Sequence, residues 1–340
     1  MNPTTIKPQP QQGGSSFGWH YLALFKTCQR KWALEHRFPN MDPEVETKGI
    51  RPISTSAPLM IGSMTHDGLE AWYRSGWQDG QYQLAPALDQ VLTTARVRSR
   101  EFESPEDQAK AIQTAEQLIR NYHEYYGPGG AEEEWPQFQI ASDTDGNPLV
   151  EKEFVISVGD GHYFSARFDG IVWVNQSYLG GWEFKTTAAT WANRLRNRCT
   201  LDGQMTGQVA ILRTLFPEEK FFGVVVTALV KDRGKKSPHP PFYRDAVSRS
   251  EVDTALFLRD TKRTLKIMEE RDGEFEHGRQ AEIDPWDSLL LAYDGTPDAN
   301  NCVGNFSCPF LMLCQNKEMA SKMIETQYRP KMVVKEEEDV

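Results

Sequence analysis

The stretch that decides the fold runs Ala166-Arg167-Phe168-Asp169-Gly170-Ile171-Val172-Trp173-Val174 and, after Asn175-Gln176-Ser177, continues as Gly180-Gly181-Trp182-Glu183-Phe184-Lys185-Thr186-Thr187. Both runs contain the apolar residues of strands, and the polar residues between them are a turn signal. We therefore predict two neighbouring strands that bring Asp169 close to Glu183. Lys185 would lie on the same face as Glu183, because side chains in a strand repeat every two residues. Two carboxylates beside one ammonium predict a metal site with hard oxygen ligands.

The same three residues have a second interpretation. An Asp, a Glu and a Lys on a hairpin often belong to a solvated face with a weak ion pair. The pattern D-x13-E-x-K by itself leaves both interpretations open, and its strand context, in which the charges interrupt apolar runs, favours the site.

Composition sets the broad class of the chain. Its 340 residues can form one elaborated domain or two intimate ones, and 39% apolar with 25% charged residues is typical of a soluble globular protein. No run of 18 apolar residues occurs, so no transmembrane helix and no membrane partner are predicted. The net charge of −10 argues against a general nucleic-acid coat protein, although an enzyme can combine an acidic total with a local basic channel.

The termini differ from the middle of the chain. Residues 1–16 are rich in Pro, Gln, Gly and Ser and lack the apolar core of a signal peptide, which predicts a disordered arm and a cytoplasmic protein. Residues 328–340 end in a charged run and are predicted to be a mobile tail. Residues 17–327 between them are predicted to form a single domain.

Hydrophobic periodicity predicts helices, then a mixed sheet with a helix across it, then helices. This order is typical of an α/β fold with a central sheet flanked by helices and a helical insertion. The helical part covers residues 17–130 and the α/β core residues 150–276. Helices are predicted over 21–35, 60–75, 81–98, 105–126, 202–215 and 250–271, and strands over 151–158, 162–174, 178–186, 221–230 and 242–247.

Cysteines form a cluster near the C-terminus, within residues 300–316. Cys302, Cys308 and Cys314 have five residues between each pair. In a cytoplasmic protein such clusters are typical of metal ligands rather than disulfides. A fourth ligand is needed, and Cys28 is the candidate, so a metal would join the N- and C-terminal segments. Four sulfurs favour zinc or an iron–sulfur cluster. The alternative is that these cysteines are buried free thiols, which is what we expect of Cys199.

Five motifs follow one another along the chain. They are F-x-x-C-x-R-K-W from Phe25 to Trp32, G-x-x-x-H from Gly62 to His66, the core of Asp169, Glu183 and Lys185, a helical glutamine at Gln204, and the three late cysteines. In this order they resemble the PD-(D/E)XK nuclease superfamily, in particular its RecB-like branch, which includes the CRISPR-associated iron–sulfur exonucleases, AddB-type nuclease domains and phage-encoded relatives. The resemblance covers roughly Tyr21 to Cys314. The family's fourth motif is Q-x-x-x-Y, and Gln208 stands here where the family has tyrosine.

The resemblance implies a restriction-endonuclease-like core with a cysteine-clasped terminal subdomain. It implies a metal-dependent deoxyribonuclease, an exonuclease rather than an endonuclease, acting on single-stranded or end-bearing DNA in recombination, repair or CRISPR-type processing. Recombination or CRISPR proteins are further expected partners, in a bacterial or phage-infected cell. Some relatives form rings, so a homo-oligomer is also expected.

The resemblance also implies the roles of individual residues. Mg²⁺ or Mn²⁺ would be held by His66, Asp169, Glu183 and the backbone carbonyl of Phe184. Lys185 would orient or help deprotonate the attacking water, and Gln204 would contact DNA or Lys185. A [4Fe–4S] cluster, with zinc as the alternative, would be bound by Cys28, Cys302, Cys308 and Cys314.

Two other functions remain as alternatives. A catalytically silent DNA-binding or recombination partner could retain the fold, but it has no physical need to keep the charge cluster of Asp169, Glu183 and Lys185. A different metal hydrolase is the second, and the chain's seven histidines without an H-E-x-x-H pattern argue against a zinc hydrolase.

Overall fold

The computed structural model describes residues 18–39, 49–52, 57–76, 80–128, 138–188, 192–231, 242–295, 302–303 and 308–330. The chain divides into two compact units. The first unit comprises Met1–Trp19 and Ser54–Asp260, and the second comprises His20–Ile53 and Thr261–Val340. The predicted disordered arm lies outside the described residues, and the single domain over 17–327 stays a prediction.

In the described residues the strands are β1 (Ile50–Pro52), β2 (Phe138–Ile140), β3 (Val150–Gly159), β4 (His162–Val174), β5 (Tyr178–Ala188), β6 (Phe221–Lys231), β7 (Phe242–Val247) and β8 (Tyr328–Pro330). Most of them belong to one mixed sheet in the first unit, in the order β2-β4-β5-β6-β7 with β3 also paired to β4. In this sheet β5 and β6 are parallel, and the other pairs are antiparallel. The predicted mixed α/β architecture is therefore confirmed.

The hairpin of β4 and β5 forms where the sequence predicts it. Asn175 and Gln176 adopt positive φ angles of 49° and 56°, as the tight turn between two twisted strands requires. Pairing runs from Val174↔Tyr178 to Gly170↔Trp182, and its continuation places Asp169 opposite Glu183.

Helices of the first unit pack against the sheet, and side-chain caps define the starts of several helices. Ser104 accepts a hydrogen bond from the Asp107 N–H, Asp202 accepts one from the Gln204 N–H, and Ser250 accepts one from the Asp253 N–H. In the part of the chain that the structure describes, the α-helices are α1 (Trp19–Thr27), α2 (Gln29–His36), α3 (Ala57–Gly76), α4 (Leu84–Val97), α5 (Pro105–Tyr126), α6 (Ala192–Leu201), α7 (Gly203–Leu215), α8 (Glu251–Gln280) and α9 (Pro285–Ala292), with short helices Leu311–Gln315 and Ala320–Gln327.

Side-chain alternation along β5 separates the core from the polar face. Trp182 and Phe184 are buried in a large apolar cluster with residues of α3, α4 and α5. Glu183 and Lys185, which alternate with them, lie on the opposite face, next to Gln204 of α7. The period of two predicted from the sequence thus directs the aromatic side chains and the charged ones to different faces.

One predicted helix, over 21–35, is wrong as a continuous element. Cys28 has extended backbone angles (φ −160°, ψ 106°), so α1 ends before it and α2 begins after it. Its sulfur accepts a hydrogen bond from the Lys31 N–H at 3.4 Å and so caps α2. The helix predicted over 250–271 is correct at its start but continues to Gln280.

The second unit contains α1 from His20, α2, α9, most of α8 and a two-stranded sheet. β1 pairs antiparallel with β8 from Ile50↔Pro330 to Pro52↔Tyr328. The first residues of the predicted mobile tail therefore form a strand, while residues 331–340 lie outside the described part of the chain. Among the described residues, no helix has the length and apolar character needed to cross a membrane.

Candidate active site

Polar side chains from four elements of the first unit converge beside the β4–β5 hairpin. The structure brings together the sequence-predicted His66, Asp169, Glu183, Lys185 and Gln204. α3 carries the histidine, β4 the aspartate, β5 the Glu-Lys pair and α7 the glutamine.

A group of three potential metal ligands lies at the centre of this cluster. His66 Nδ1 is 3.3 Å from Asp169 Oδ1 and 3.9 Å from Glu151 Oε1. In the part of the chain that the structure describes, these three residues form the group whose ligand atoms all lie within 4.8 Å of one another. Two carboxylates and an imidazole form a donor set that fits Mn²⁺ or Mg²⁺.

Glu151 is the member of this group that no sequence motif indicated. The register of β3 with β4, from Val150↔Gly170 to Lys152↔Phe168, places it opposite Asp169. Its φ angle of 51° is unusual for a residue other than glycine, and such strain is often found at functional sites. The one signal in the sequence was its position at the start of the strand that precedes the Asp169 strand.

Glu183 is 2% exposed, and protein donors hold both of its oxygens. Oε1 accepts hydrogen bonds from Lys185 Nζ and from Gln204 Nε2, the latter at 2.7 Å. Oε2 accepts one from Gln208 Nε2 at 2.8 Å. Gln208 stands where the Q-x-x-x-Y motif of the family has tyrosine. Its hydrogen bond therefore fixes the orientation of the Glu183 carboxylate.

Gln204 connects the two charged residues of β5. Its Oε1 accepts a hydrogen bond from Lys185 Nζ at 2.9 Å, while its Nε2 donates to Glu183. Asp202 caps α7 and so fixes the turn that carries Gln204. Of the two contacts expected for Gln204, with DNA or with Lys185, this geometry contains the one with Lys185, and the catalytic role of Gln204 stays a prediction.

Asp169 is the most perturbed carboxylate of the cluster. Burial and the neighbouring Glu183 raise the pKa of Asp169 to about 6, against the opposing charge of His66. Its Oδ2 accepts a hydrogen bond from the Phe184 N–H at 2.5 Å. The backbone of Phe184 thus reaches the group, but the roles of Glu183 and of the Phe184 carbonyl as metal ligands stay predictions.

Neighbouring carboxylates raise the pKa of both basic side chains in this setting. Burial alone would lower the pKa of His66, but Asp169, Glu151 and Glu183 raise it well above the ordinary value. Burial likewise acts to lower the pKa of Lys185, and Glu183 and Asp169 overcome it, so that the pKa is raised. Without a metal, Lys185 is therefore an ammonium at neutral pH.

The four cysteines predicted as cluster ligands all lie in the second unit. Burial raises the pKa of Cys308, and the nearby Cys28 and Cys302 add to the effect. Burial raises the pKa of Cys314 to about 11, with Arg30 opposing and the other three thiols adding. Cys28 and Cys302 also line a cavity of about 410 Å³.

Cys199, expected to be a buried free cysteine, is buried in the first unit. It packs with Met205, Val209 and valines of β6 and β7. The sequence analysis predicted its burial; the division of the chain adds that Cys199 belongs to the first unit and the other four cysteines to the second.

Comparison with known proteins assigns the family. A model of the PD-(D/E)XK nuclease superfamily matches residues 20–315. A solved structure described as "Crystal structure of SSO0001" is similar to this chain at 13% sequence identity, and the match covers 61% of this chain and 74% of that chain. Its TM-score of 0.25 is too low to support an argument. A search of curated proteins finds no significant match. Because the superfamily model covers most of the sequence, the chain belongs to the PD-(D/E)XK nuclease superfamily.

Proposed function

We propose that this protein is a metal-dependent deoxyribonuclease of the RecB-like branch, acting as an exonuclease on single-stranded or end-bearing DNA. The observation that carries the proposal is the convergence of His66, Asp169, Glu183 and Lys185 on one buried polar cluster. The ordered motifs of the sequence favour the branch and exonuclease action. Recombination, repair or CRISPR-type processing is the proposed setting.

Mg²⁺ or Mn²⁺ would be held by His66, Asp169 and Glu183, by the Phe184 carbonyl and, on the geometry above, by Glu151. When bound, the metal lowers the pKa of a bound water and offsets the negative charge that develops on the phosphate. The chain's contribution is to keep these donors in place. The Phe184 N–H fixes one oxygen of Asp169 and leaves the other facing His66.

Lys185 acts as a charged donor in this proposal. In the metal-free chain Glu183 and Asp169 raise the pKa of Lys185, which favours the ammonium form. As an ammonium it would orient the attacking water and stabilise charge on the phosphate. Glu183 and Gln204 hold the ammonium between them and restrict its position. Gln208 restricts Glu183 in turn.

Glu151→Gln is expected to weaken Mn²⁺ binding by roughly 10- to 100-fold, the range typical of removing a group that supports a metal site. The reason is that Glu151 Oε1 faces His66 Nδ1, within the same group of ligand atoms as Asp169. Calorimetric titration of the metal-free protein with Mn²⁺ measures the change. Glu153→Gln, which removes the same charge from the same strand, is the control, and equal affinities in both variants would exclude Glu151 as a ligand.

The thiols of Cys28, Cys302, Cys308 and Cys314 are proposed to bind a [4Fe–4S] cluster, with zinc as the alternative. The support is that the four cysteines are near enough to influence one another's pKa, and that cysteine thiolates are ligands of zinc and of iron–sulfur clusters. The role of such a cluster would be structural, joining α1 and α2 to the C-terminal segment.

Cys308→Ser is expected to give protein without the brown colour of an iron–sulfur cluster, and with a melting temperature several degrees lower. The loss of one ligand removes binding energy that contributes directly to folding. Absorbance near 400 nm and metal analysis of anaerobically purified protein measure the effect. Cys199→Ser is the matched control, since Cys199 is buried in the first unit. A brown, stable Cys308→Ser protein would remove Cys308 from the ligand set. Stoichiometric zinc in the wild-type protein would replace iron in the proposal.

Cleavage of end-labelled single-stranded DNA by anaerobically purified protein tests the function itself. Degradation with Mn²⁺ that stops with EDTA is the expected result, and the fate of the label gives the polarity. No cleavage of single-stranded, duplex or flapped DNA would favour a catalytically silent DNA-binding partner.

A further inference from the structure

We propose that Arg167 binds a backbone phosphate of the DNA substrate at the solvent side of the metal-binding group, and that Glu151 holds its guanidinium in position. The inference rests on the proposed nuclease function. It assigns a substrate contact to a residue outside the D, E and K positions of the sequence motif.

Arg167 is placed by the strand that carries the catalytic aspartate. It precedes Asp169 by two residues on β4, so both side chains lie on the same face. Its Nε donates a hydrogen bond to Glu151 Oε2 at 2.8 Å, while the other oxygen of Glu151 faces His66 at 3.9 Å. One carboxylate therefore connects the guanidinium to the metal-binding group.

The Arg167 side chain is largely exposed, in contrast to those of Glu151 and Asp169. The Arg167 side chain is 55% exposed, against 10% for Glu151 and 10% for Asp169. The Arg167 carbonyl also accepts a hydrogen bond from Gln208 Nε2 at 3.3 Å, which ties the backbone of this residue to α7. The backbone is thus fixed from inside, while more than half of the side-chain surface is open to solvent.

The surroundings need such a cation if DNA is to approach. The net charge of the chain is −10. The charge of Arg167 acts to lower the pKa of Asp67 and Glu70 on α3, as well as that of Glu151. The region around Arg167 is therefore rich in carboxylates. A polyanion is repelled by these groups, and a bound divalent ion offsets only part of the repulsion. A guanidinium with five N–H donors can pair with one carboxylate and a phosphate at the same time.

The competing role for Arg167 is purely internal, as a counter-ion that orients Glu151 for the metal. The two roles make opposite predictions. A phosphate contact affects DNA binding and its salt dependence, whereas an internal counter-ion affects the affinity for the metal in the absence of DNA.

The experiment compares wild type with Arg167→Ala and Arg167→Gln. Binding of a fluorescent single-stranded oligonucleotide is measured by anisotropy at several salt concentrations, with Ca²⁺ in place of Mn²⁺ and a gel to check that the DNA stays intact. Mn²⁺ affinity without DNA is measured by calorimetry. The matched control is Arg259→Ala, because Arg259 is 54% exposed and also paired with a carboxylate, that of Asp260, so the charge change is identical.

We expect both Arg167 variants to bind the oligonucleotide about 5- to 20-fold more weakly, with a salt slope less steep by about 0.7. The control should stay within about twofold of wild type. Mn²⁺ affinity should be unchanged or tighter, since Glu151 loses a competing cation.

Weaker Mn²⁺ binding with an unchanged salt slope would overturn the proposal in favour of the counter-ion role. An equal loss of DNA binding in Arg259→Ala would also overturn it, by showing a general charge effect. If the wild type cleaves DNA and Arg167→Ala binds the oligonucleotide as tightly as wild type, only this inference is refuted. If the wild type neither cleaves nor binds DNA, the proposed function is refuted as well.

Discussion

Lys185→Ala is expected to lower the rate of DNA cleavage by about 10²- to 10³-fold, the effect typical of removing one preorganised donor from a transition state. The variant loses the ammonium that contacts both Glu183 and Gln204. Its Mn²⁺ affinity should not fall, because Lys185 is not a ligand and its removal takes away a positive charge. Single-turnover cleavage of end-labelled DNA, together with calorimetric Mn²⁺ titration, separates these effects.

The control for this variant is Lys220→Ala, which removes an exposed lysine just before β6. It should cleave at the wild-type rate. If Lys185→Ala also cleaves at that rate, Lys185 is not part of the catalytic site. If both variants lose activity equally, the loss reflects net charge rather than the position of the ammonium.

Asp169→Asn is expected to reduce cleavage by at least about 10³-fold and to abolish measurable Mn²⁺ binding, because it removes the buried charge shared by the metal-binding group. An asparagine can still accept the hydrogen bond from the Phe184 N–H, so the hairpin should keep its structure. Cleavage near the wild-type rate, or unchanged Mn²⁺ affinity, would refute the assignment of the site.

The same variant should be more stable than wild type when no metal is present. The pKa of Asp169 is raised from 3.8 to about 6, so the ionised form is less favourable in the folded chain than in the unfolded one. This cost begins above pH 3.8 and is complete above about pH 6. Metal-free Asp169→Asn should therefore melt at a higher temperature than wild type at pH 7.5, with the difference shrinking as the pH falls below 6.

Added Mn²⁺ should reverse the order of stability. A ligand that binds only the folded state stabilises it by mass action, so wild type gains and Asp169→Asn does not. A variant whose melting temperature rises with Mn²⁺ as much as that of wild type would show that the metal binds elsewhere.

The core of the candidate site could be predicted because it is encoded locally. Asp169, Glu183 and Lys185 lie on one hairpin, whose turn and alternation are visible in the sequence. Glu151 and Gln208 could not be predicted in the same way. Their contacts depend on the register of β3 against β4 and on the packing of α7, which no short-range pattern specifies.

The elements of the fold could be predicted to a similar extent. The predictions that were wrong were wrong for related reasons. The five predicted strands and the predicted helices over 60–75 and 105–126 have clear periodicity in the sequence, and the structure contains each of them. α6 was missed because its sequence is dominated by polar and basic residues, with Leu195 and Cys199 as its contacts to the core. The break at Cys28 involves neither Gly nor Pro, so nothing in the local sequence signals the end of α1.

The alternation along β5 links chemistry to folding fidelity. Trp182 and Phe184 fill the helical core, while Glu183 and Lys185 between them belong to the polar cluster. A shift of the strand by one residue would place two charges in the apolar core and two aromatic rings in the site. Such a chain would be both inactive and unstable, so misregistered molecules would be removed by unfolding rather than persist as defective nucleases.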